Sequence, residues 1–170
     1  MAANSFSDSV YLRWMIRRDL QDVLSIEEAS FEFAWSEDDF IRCLRQRSVI
    51  GMVAEQNSEI VGFMIYDLHR THIQVLNFCT HPWYLRRGVG TSMFEKLESK
   101  LNERRDRLRT AVRETNLPAQ LFFRTMGFRA VSVERNFYEE SPEDAYLMEY
   151  RLQSHSIEVG EIERAAGTVT

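Results

Sequence analysis

The chain has 170 residues, 44% hydrophobic and 28% charged, with a net charge of -5. That length and balance point to one soluble domain with room for a proper core, and the acidic balance speaks against a dedicated nucleic-acid binder. The longest uncharged apolar run, Ile60 to Tyr66, is far too short to span a bilayer, so no membrane partner is expected.

Residues 1–9 are small and polar, without a charged-then-apolar signal architecture, and are expected to be disordered. Val10 to Arg17 reads as a first strand, and Asp19 opens a helix with Leu20, Val23, Leu24 and Ile26 on its apolar side. Phe31-Glu32-Phe33-Ala34-Trp35 is an aromatic-rich loop, followed by Ser36-Glu37-Asp38-Asp39, a capping box for a second helix with Phe40, Ile41 and Leu44 inward. Val49 to Glu55 and Ile60 to Leu68 read as strands joined by a Gln56-Asn57-Ser58-Glu59 hairpin turn. A further strand begins near His72, runs through Val75-Leu76-Asn77-Phe78-Cys79-Thr80 and stops at His81-Pro82. The next helix keeps Val89, Met93, Phe94, Leu97 and Leu101 on one side and is expected to reach about Arg104. Leu108 to Arg113 is a strand, parallel to the one before because the connection is a long crossover. Leu117-Pro118 opens a short helix with Leu121, Phe122 and Met126 inward and Gly127 as its stop. Phe128 to Phe137 and Ala145 to Leu152 form a final antiparallel pair, so the domain spans residues 10–152 and residues 153–170 are a flexible tail. Cys43 and Cys79 form no C-x-x-C, so neither a metal site nor a disulfide is expected. Free buried thiols fit a reducing, cytoplasmic setting, and the sequence carries no signal of oligomeric state.

The chemistry starts at Arg86-Arg87-Gly88-Val89-Gly90-Thr91, set between a strand and a helix. Two glycines permit a sharp turn and a close ligand approach. The helix start offers free N–H donors and a positive dipole end, a site for phosphate, and Arg86 and Arg87 add charge. The P-loop pattern is absent, and Met93 breaks the dinucleotide fingerprint. What remains, Leu85-Arg86-Arg87-Gly88-Val89-Gly90, resembles motif A of the GNAT superfamily of acyl-CoA-dependent N-acyltransferases, with Leu85 departing from the usual Gln or Arg. Asn116-Leu-Pro-Ala-Gln-Leu-Phe-Phe123-Arg-Thr-Met-Gly127-Phe128 resembles motif B of the same family. The resemblance spans roughly residues 11 to 152. It implies a single mixed sheet of six to seven strands, helices on both faces, and a splayed central pair of parallel strands admitting the cofactor. It also implies acetyl-CoA as cosubstrate, held by Arg86, Arg87, Gly88, Val89, Gly90 and Thr91, by Phe78, Cys79 and Thr80 on the strand, and by Asn116 and Phe123 of motif B. On the residues alone, Asn116 reads first as a plain helix cap.

Within the superfamily the chain is similar to the ribosomal-protein N-terminal alanine acetyltransferases. Phe33-Ala34-Trp35-Ser36 resembles an F-P-W-S loop, Val112-Arg113-Glu114-Thr115-Asn116 a V-R-x-x-N segment, and Arg135-Asn136-Phe137-Tyr138 an R-x-Y-Y segment. This implies that Phe33, Trp35 and Tyr138 contact an acceptor protein N-terminus, such as that of a ribosomal protein, although Phe33 and Trp35 also suit core packing. The reaction needs a free amine, a proton acceptor, and a proton for the leaving thiolate. An oxyanion donor fits a backbone N–H of the strand at Phe78–Thr80. The family's glutamate base falls on Ala111 and its tyrosine acid on Phe123. Glu114 alternates onto the opposite face from Ala111, and another family position for a base matches Gln74. His72, which shares the face of Gln74, is the candidate to act through water, and Tyr138 the candidate proton donor. Rival readings are acetylation of a small amine or lysine side chain, a non-catalytic acyl-CoA-binding module, and a nucleic-acid binder resting on Arg104 to Arg109.

Overall fold

A computed structural model describes residues 9–153. The expectations of disorder over residues 1–9 and of a flexible tail over residues 153–170 lie, apart from Ser9 and Gln153, outside the described residues.

The elements are β1 (Tyr11–Trp14), α1 (Leu20–Ser30), α2 (Glu37–Leu44), β2 (Val49–Gln56), β3 (Glu59–Leu68), β4 (His72–Thr80), α3 (Val89–Glu98), β5 (Arg107–Arg113), α4 (Leu117–Thr125), β6 (Arg129–Glu134) and β7 (Ala145–Arg151). Short 3-10 turns occupy Arg17–Asp19 and Pro82–Tyr84. The strands form one seven-stranded sheet in the order β1-β2-β3-β4-β5-β7-β6, with β4 and β5 parallel and every other pair antiparallel. On one face α1 and α2 pack Val23, Ile26 and Phe40 against Val53, Phe63, Ile65 and Cys79. On the other, α3 and α4 pack Val89, Met93, Phe94, Leu97 and Phe123 against Met52, Met64, Tyr66, Val75, Leu108 and Met148.

Local chemistry sets the boundaries. The capping box forms: Ser36 Oγ accepts from Asp39 N, and Asp39 accepts from Ser36 N. The β2–β3 turn places Asn57 (φ 51°) and Ser58 (φ 66°) in the left-handed region, the geometry of a two-residue hairpin turn. β1 is shorter than the expected run to Arg17, because Ile16 N–H leaves the ladder for the Asp19 carboxylate at 2.8 Å. The α3 helix ends at Glu98 rather than near Arg104. The Asn102 carboxamide accepts from the amides of Arg104 and Arg105 (3.0 and 2.9 Å), a local turn that outcompetes further helix, yet Leu101 still packs on the core. β6 stops at Glu134, short of Phe137, where Asp144 takes Asn136 N–H (3.0 Å) and the Arg135 guanidinium (2.7 Å), and Asn136 turns at φ 47°.

The feature that makes a site is the centre of the sheet. β4 and β5 pair only from His72↔Arg107 to Val75↔Thr110 and then part, although both strands continue. At the same point β4 bulges: Tyr66 is opposite Val75 and Ile65 is opposite Asn77, so Leu76 is the extra residue. The bulge reverses the facing of the strand. Ile73 and Val75 join the α3 core, whereas Asn77 and Cys79 turn toward α1.

Candidate active site

The parting of β4 and β5 opens a cleft of about 410 Å³. Its walls come from β4 (Leu76, Asn77, Phe78), β5 (Thr110 to Arg113), α1 and the loop after it (Glu27, Ser30, Phe33, Trp35), α4 with its cap (Asn116, Phe123), and the β6–β7 loop (Tyr138, Glu140, Glu143). Backbone groups point into the gap. His81 N–H donates to Val61 O at 2.8 Å, which fixes one bonded position of the β3–β4 ladder. Antiparallel alternation then directs the backbone of Cys79 and Asn77 to β3, and that of Phe78 and Thr80 to the edge β5 has left.

The glycine loop adjoins the open end of this gap. Gly88, at φ 83°, caps α3 in the left-handed region, and the first intrahelical bond is Ser92 N–H to Gly88 O at 3.0 Å. The amides of Val89, Gly90 and Thr91 are therefore the free first turn of the helix. A Cβ on Gly88 would meet nothing within 4 Å, so its requirement is conformational. A Cβ on Gly90 would lie 2.9 Å from the Phe122 ring, so its requirement is the close passage of α4. Phe122 in turn lies 5.5 Å from Phe78, and a continuous apolar path runs from loop to cleft. Arg86 and Arg87 are exposed, with the Arg87 guanidinium 5.3 Å over the Tyr84 ring. Free amides, positive charge and this path fit an elongated anionic thioester.

Arg113 organises the mouth. Its guanidinium lies 3.6 Å from the Tyr138 ring centroid and 4.8 Å from that of Phe33, bridging the loop after α1 to the loop after β6. It pairs with Glu143 at 2.7 Å and with Glu140, and it donates to Ser141 Oγ at 2.9 Å. Thr115, Ser141 and Arg113 hold the Glu143 carboxyl below its ordinary value. Burial raises the Tyr138 phenol, and Glu143 and Glu140 reinforce that against Arg113, so Tyr138 keeps its proton at neutral pH. Trp35 lies edge-on to Phe40 at 5.3 Å and also lines the cleft, so it belongs to the core and to the cleft wall together.

Beneath the mouth lies a polar tie absent from the sequence reading. Glu27 of α1 is 1% exposed, and its carboxylate accepts from Trp35 N–H (2.8 Å) and from Asn77 Nδ2 (2.9 Å). Burial raises its pKa, and the two hydrogen bonds oppose the rise. A carboxylate at helical spacing looks like surface, and only the bulge that turns Asn77 toward α1 distinguishes it.

The structure brings Phe33, Trp35, Phe78, Asn116, Phe123 and Tyr138 to one cleft, with Ala111 among them. Asn116 also caps α4, its Oδ1 accepting from Ala119 N at 3.2 Å. Two expectations need correction. His72 sits at the closed end of the β4–β5 pair opposite Arg107, stacked on His69 at 4.5 Å, and is not among the cleft residues. Cys79 turns its thiol into the α1 core, where burial pushes it up to about 12, and its backbone belongs to the β3 ladder. Glu114 is occupied in accepting from Asp144 N at 3.1 Å. A second groove, lined by Trp14, Ile16, Leu20 and Ile41 among others, contains none of the motif residues.

Among known proteins, the [Ribosomal protein bS18]-alanine N-acetyltransferase of Escherichia coli strain K12 is 29% identical over 133 residues, 76% of this chain and 89% of that protein. The enzyme of the same name from Salmonella typhimurium is 27% identical over 133 residues, again 76% and 89%. The crystal structure of the ribosomal-protein-S18-alanine N-acetyltransferase from Escherichia coli superposes with a TM-score of 0.75 at 24% identity, covering 89% of this chain and 99% of that one. The acetyltransferase (GNAT) family matches residues 20–128. The chain belongs to that family, as an N-acetyltransferase that uses acetyl-CoA.

Proposed function

We propose that the chain acetylates the N-terminal α-amine of a protein, within a domain spanning residues 10–152 and in the cytoplasm. A ribosomal protein N-terminus is the first acceptor to test, because the bacterial relatives are named for one. The observation that carries the reading is the β4–β5 gap opening on a cleft lined by four carboxylates, Glu27, Glu32, Glu140 and Glu143, against the single guanidinium of Arg113. That balance favours a cationic acceptor, and an α-amine, with a pKa near ~8, arrives largely protonated.

The chain's own residues take the following parts. The free amides from Val89 to Thr91, with Arg86 and Arg87, bind the pyrophosphate, and Gly88 sets the turn that exposes them. Phe78, Phe123 and the Asn116 cap line the path of the thioester arm, and acetyl-CoA supplies the acyl group as a thioester. The amide of Phe78 or Thr80, unbonded to β5, is aimed to receive charge developing on the carbonyl oxygen. Phe33, Trp35 and Tyr138 hold the acceptor backbone, and the Tyr138 hydroxyl supplies a proton toward the leaving thiolate.

The test is free-thiol release from acetyl-CoA against peptides beginning in Ala or Ser, lysine peptides and polyamines. Turnover concentrated on the N-terminal peptides is the expected result. Turnover only on side-chain or small amines, or binding without turnover, would overturn it.

A further inference from the structure

With Ala111 and Phe123 carrying no titratable group, the cleft needs another proton acceptor, and its carboxylates differ in availability. Glu140 and Glu143 are paired with Arg113. Glu32 is exposed on the rim. Glu27 is buried at the cleft wall and has no cation partner among the described residues: it is held by one amide N–H and one carboxamide. A carboxylate offers about four acceptor sites, so two remain open. One turn further along the same face of α1, Ser30 also lines the cleft. Its Oγ is buried without a hydrogen-bond partner among the described residues, although it lies near enough to the Cys79 thiol to moderate that group's rise. A buried hydroxyl that meets only a weakly bonding thiol among the described residues, one helical turn from a half-satisfied carboxylate, is a seat for a polar atom. Asn77, which ties Glu27 to β4, immediately precedes Phe78, whose backbone faces the gap.

We propose that Glu27 takes the proton of the acceptor ammonium, through a water held between its carboxylate and the Ser30 hydroxyl. The inference rests on the reading above that an amine is acetylated in this cleft. The ammonium gives one proton through the water to Glu27. The freed amine lone pair forms the C–N bond, the C–S bond breaks, and the thiolate leaves with the electron pair. The second proton leaves the nitrogen as the amide forms and passes through solvent to the Tyr138 phenolate, restoring the proton Tyr138 gave the thiolate, and Glu27 returns its own to solvent. The groups facing Glu27 are Ser30 on its helix, Trp35 in the loop, and Asn77 and Cys79 on β4. The charged groups around them are Glu32, Arg113, Glu140 and Glu143, with the Tyr138 phenol. Because burial raises the Glu27 carboxyl, it is a stronger base than an exposed glutamate.

Glu27→Gln is the decisive variant. Its amide oxygen still accepts from Trp35 N–H, and its NH2 meets Asn77 once that carboxamide flips, so the tie persists while the base is lost. Expected are a kcat lower by at least ~100-fold, the range of general-base effects, unchanged acetyl-CoA affinity by calorimetry, and loss of the acid limb of the rate profile that Glu27 contributes. A kcat within about threefold with the limb retained would leave Glu27 only a structural tie and overturn the proposal. Ser30→Ala leaves both Glu27 bonds in place and is expected to lower kcat on the order of tenfold; full activity in it would remove the water seat. If Glu27→Gln fails to fold, Ser30→Ala and a 13C carboxyl titration of the wild-type protein decide, and a Glu27 that titrates at the ordinary carboxylate value overturns the idea. If the wild type accepts only side-chain or small amines, the N-terminal reading fails, while the Glu27 profile is still read with that amine.

Discussion

At the scale of single residues, Arg113 holds the site's outer wall in place. Its guanidinium is stacked on two rings that belong to different loops and is paired with two carboxylates, a set of contacts a lysine cannot reproduce. Arg113→Lys is therefore expected to raise the acceptor KM by roughly tenfold while acetyl-CoA affinity stays level, because the Phe33 and Tyr138 walls lose their common anchor. Steady-state kinetics with each substrate varied separately checks this, and equal changes in both would place Arg113 outside the acceptor site. Tyr138→Phe keeps the ring on Arg113 and removes only the hydroxyl, so the split reverses. The kcat should fall about tenfold or more with little change in either binding constant. No change in kcat would remove Tyr138 from proton transfer and leave it a wall.

At the scale of elements, the glycine loop combines two demands that one motif pattern conceals. Gly88 is required for its positive φ, Gly90 for the Phe122 ring. Gly90→Ala forces a methyl against that ring, an overpacking that typically costs about 1–3 kcal/mol. It should loosen α4 and lower acetyl-CoA affinity several-fold. Gly90→Glu adds a carboxylate beside the free amides and should abolish binding. Calorimetry orders the three proteins, and equal affinity of wild type and Gly90→Glu would dissociate the loop from the cofactor. These elements were legible in the sequence because their causes are local: the Ser36–Asp39 box, the Asn57-Ser58 turn, the Asn116 cap, and the glycine turn each rest on residues a few positions apart. The Leu76 bulge was not, because an extra residue is defined by the partner strand and leaves no mark on alternation read from one strand. Everything downstream of the bulge was hidden with it. Strict alternation places Asn77 with Val75, away from α1, so Glu27 had no visible partner and His72 looked like the nearest titratable group.

At the scale of the whole molecule, a buried carboxylate held only by neutral donors among the described residues is a local cost that the rest of the fold tolerates. Linkage makes that cost measurable. The folded pKa of Glu27 is raised above the ordinary 4.5, so the folded state binds more protons than the unfolded state between those two values. Stability from this group is therefore full below about 4.5 and declines as pH rises through the folded pKa. Glu27→Gln has no such dependence. Its melting temperature minus that of the wild type should grow more positive as pH rises from about 5, then level off once Glu27 is ionised. Elsewhere the carboxylates run the other way: Asp19, held low by Arg13, contributes stability above its unfolded pKa that is lost on acidification in both proteins alike, so it cancels in the difference. Scanning calorimetry of the two proteins across that range tests the point without any substrate. A difference that stays flat with pH would mean Glu27 is not the strained carboxylate of this fold. A difference that rises with pH, in a variant that has lost turnover, would mean the chain keeps a destabilising glutamate at the cleft because the reaction uses it.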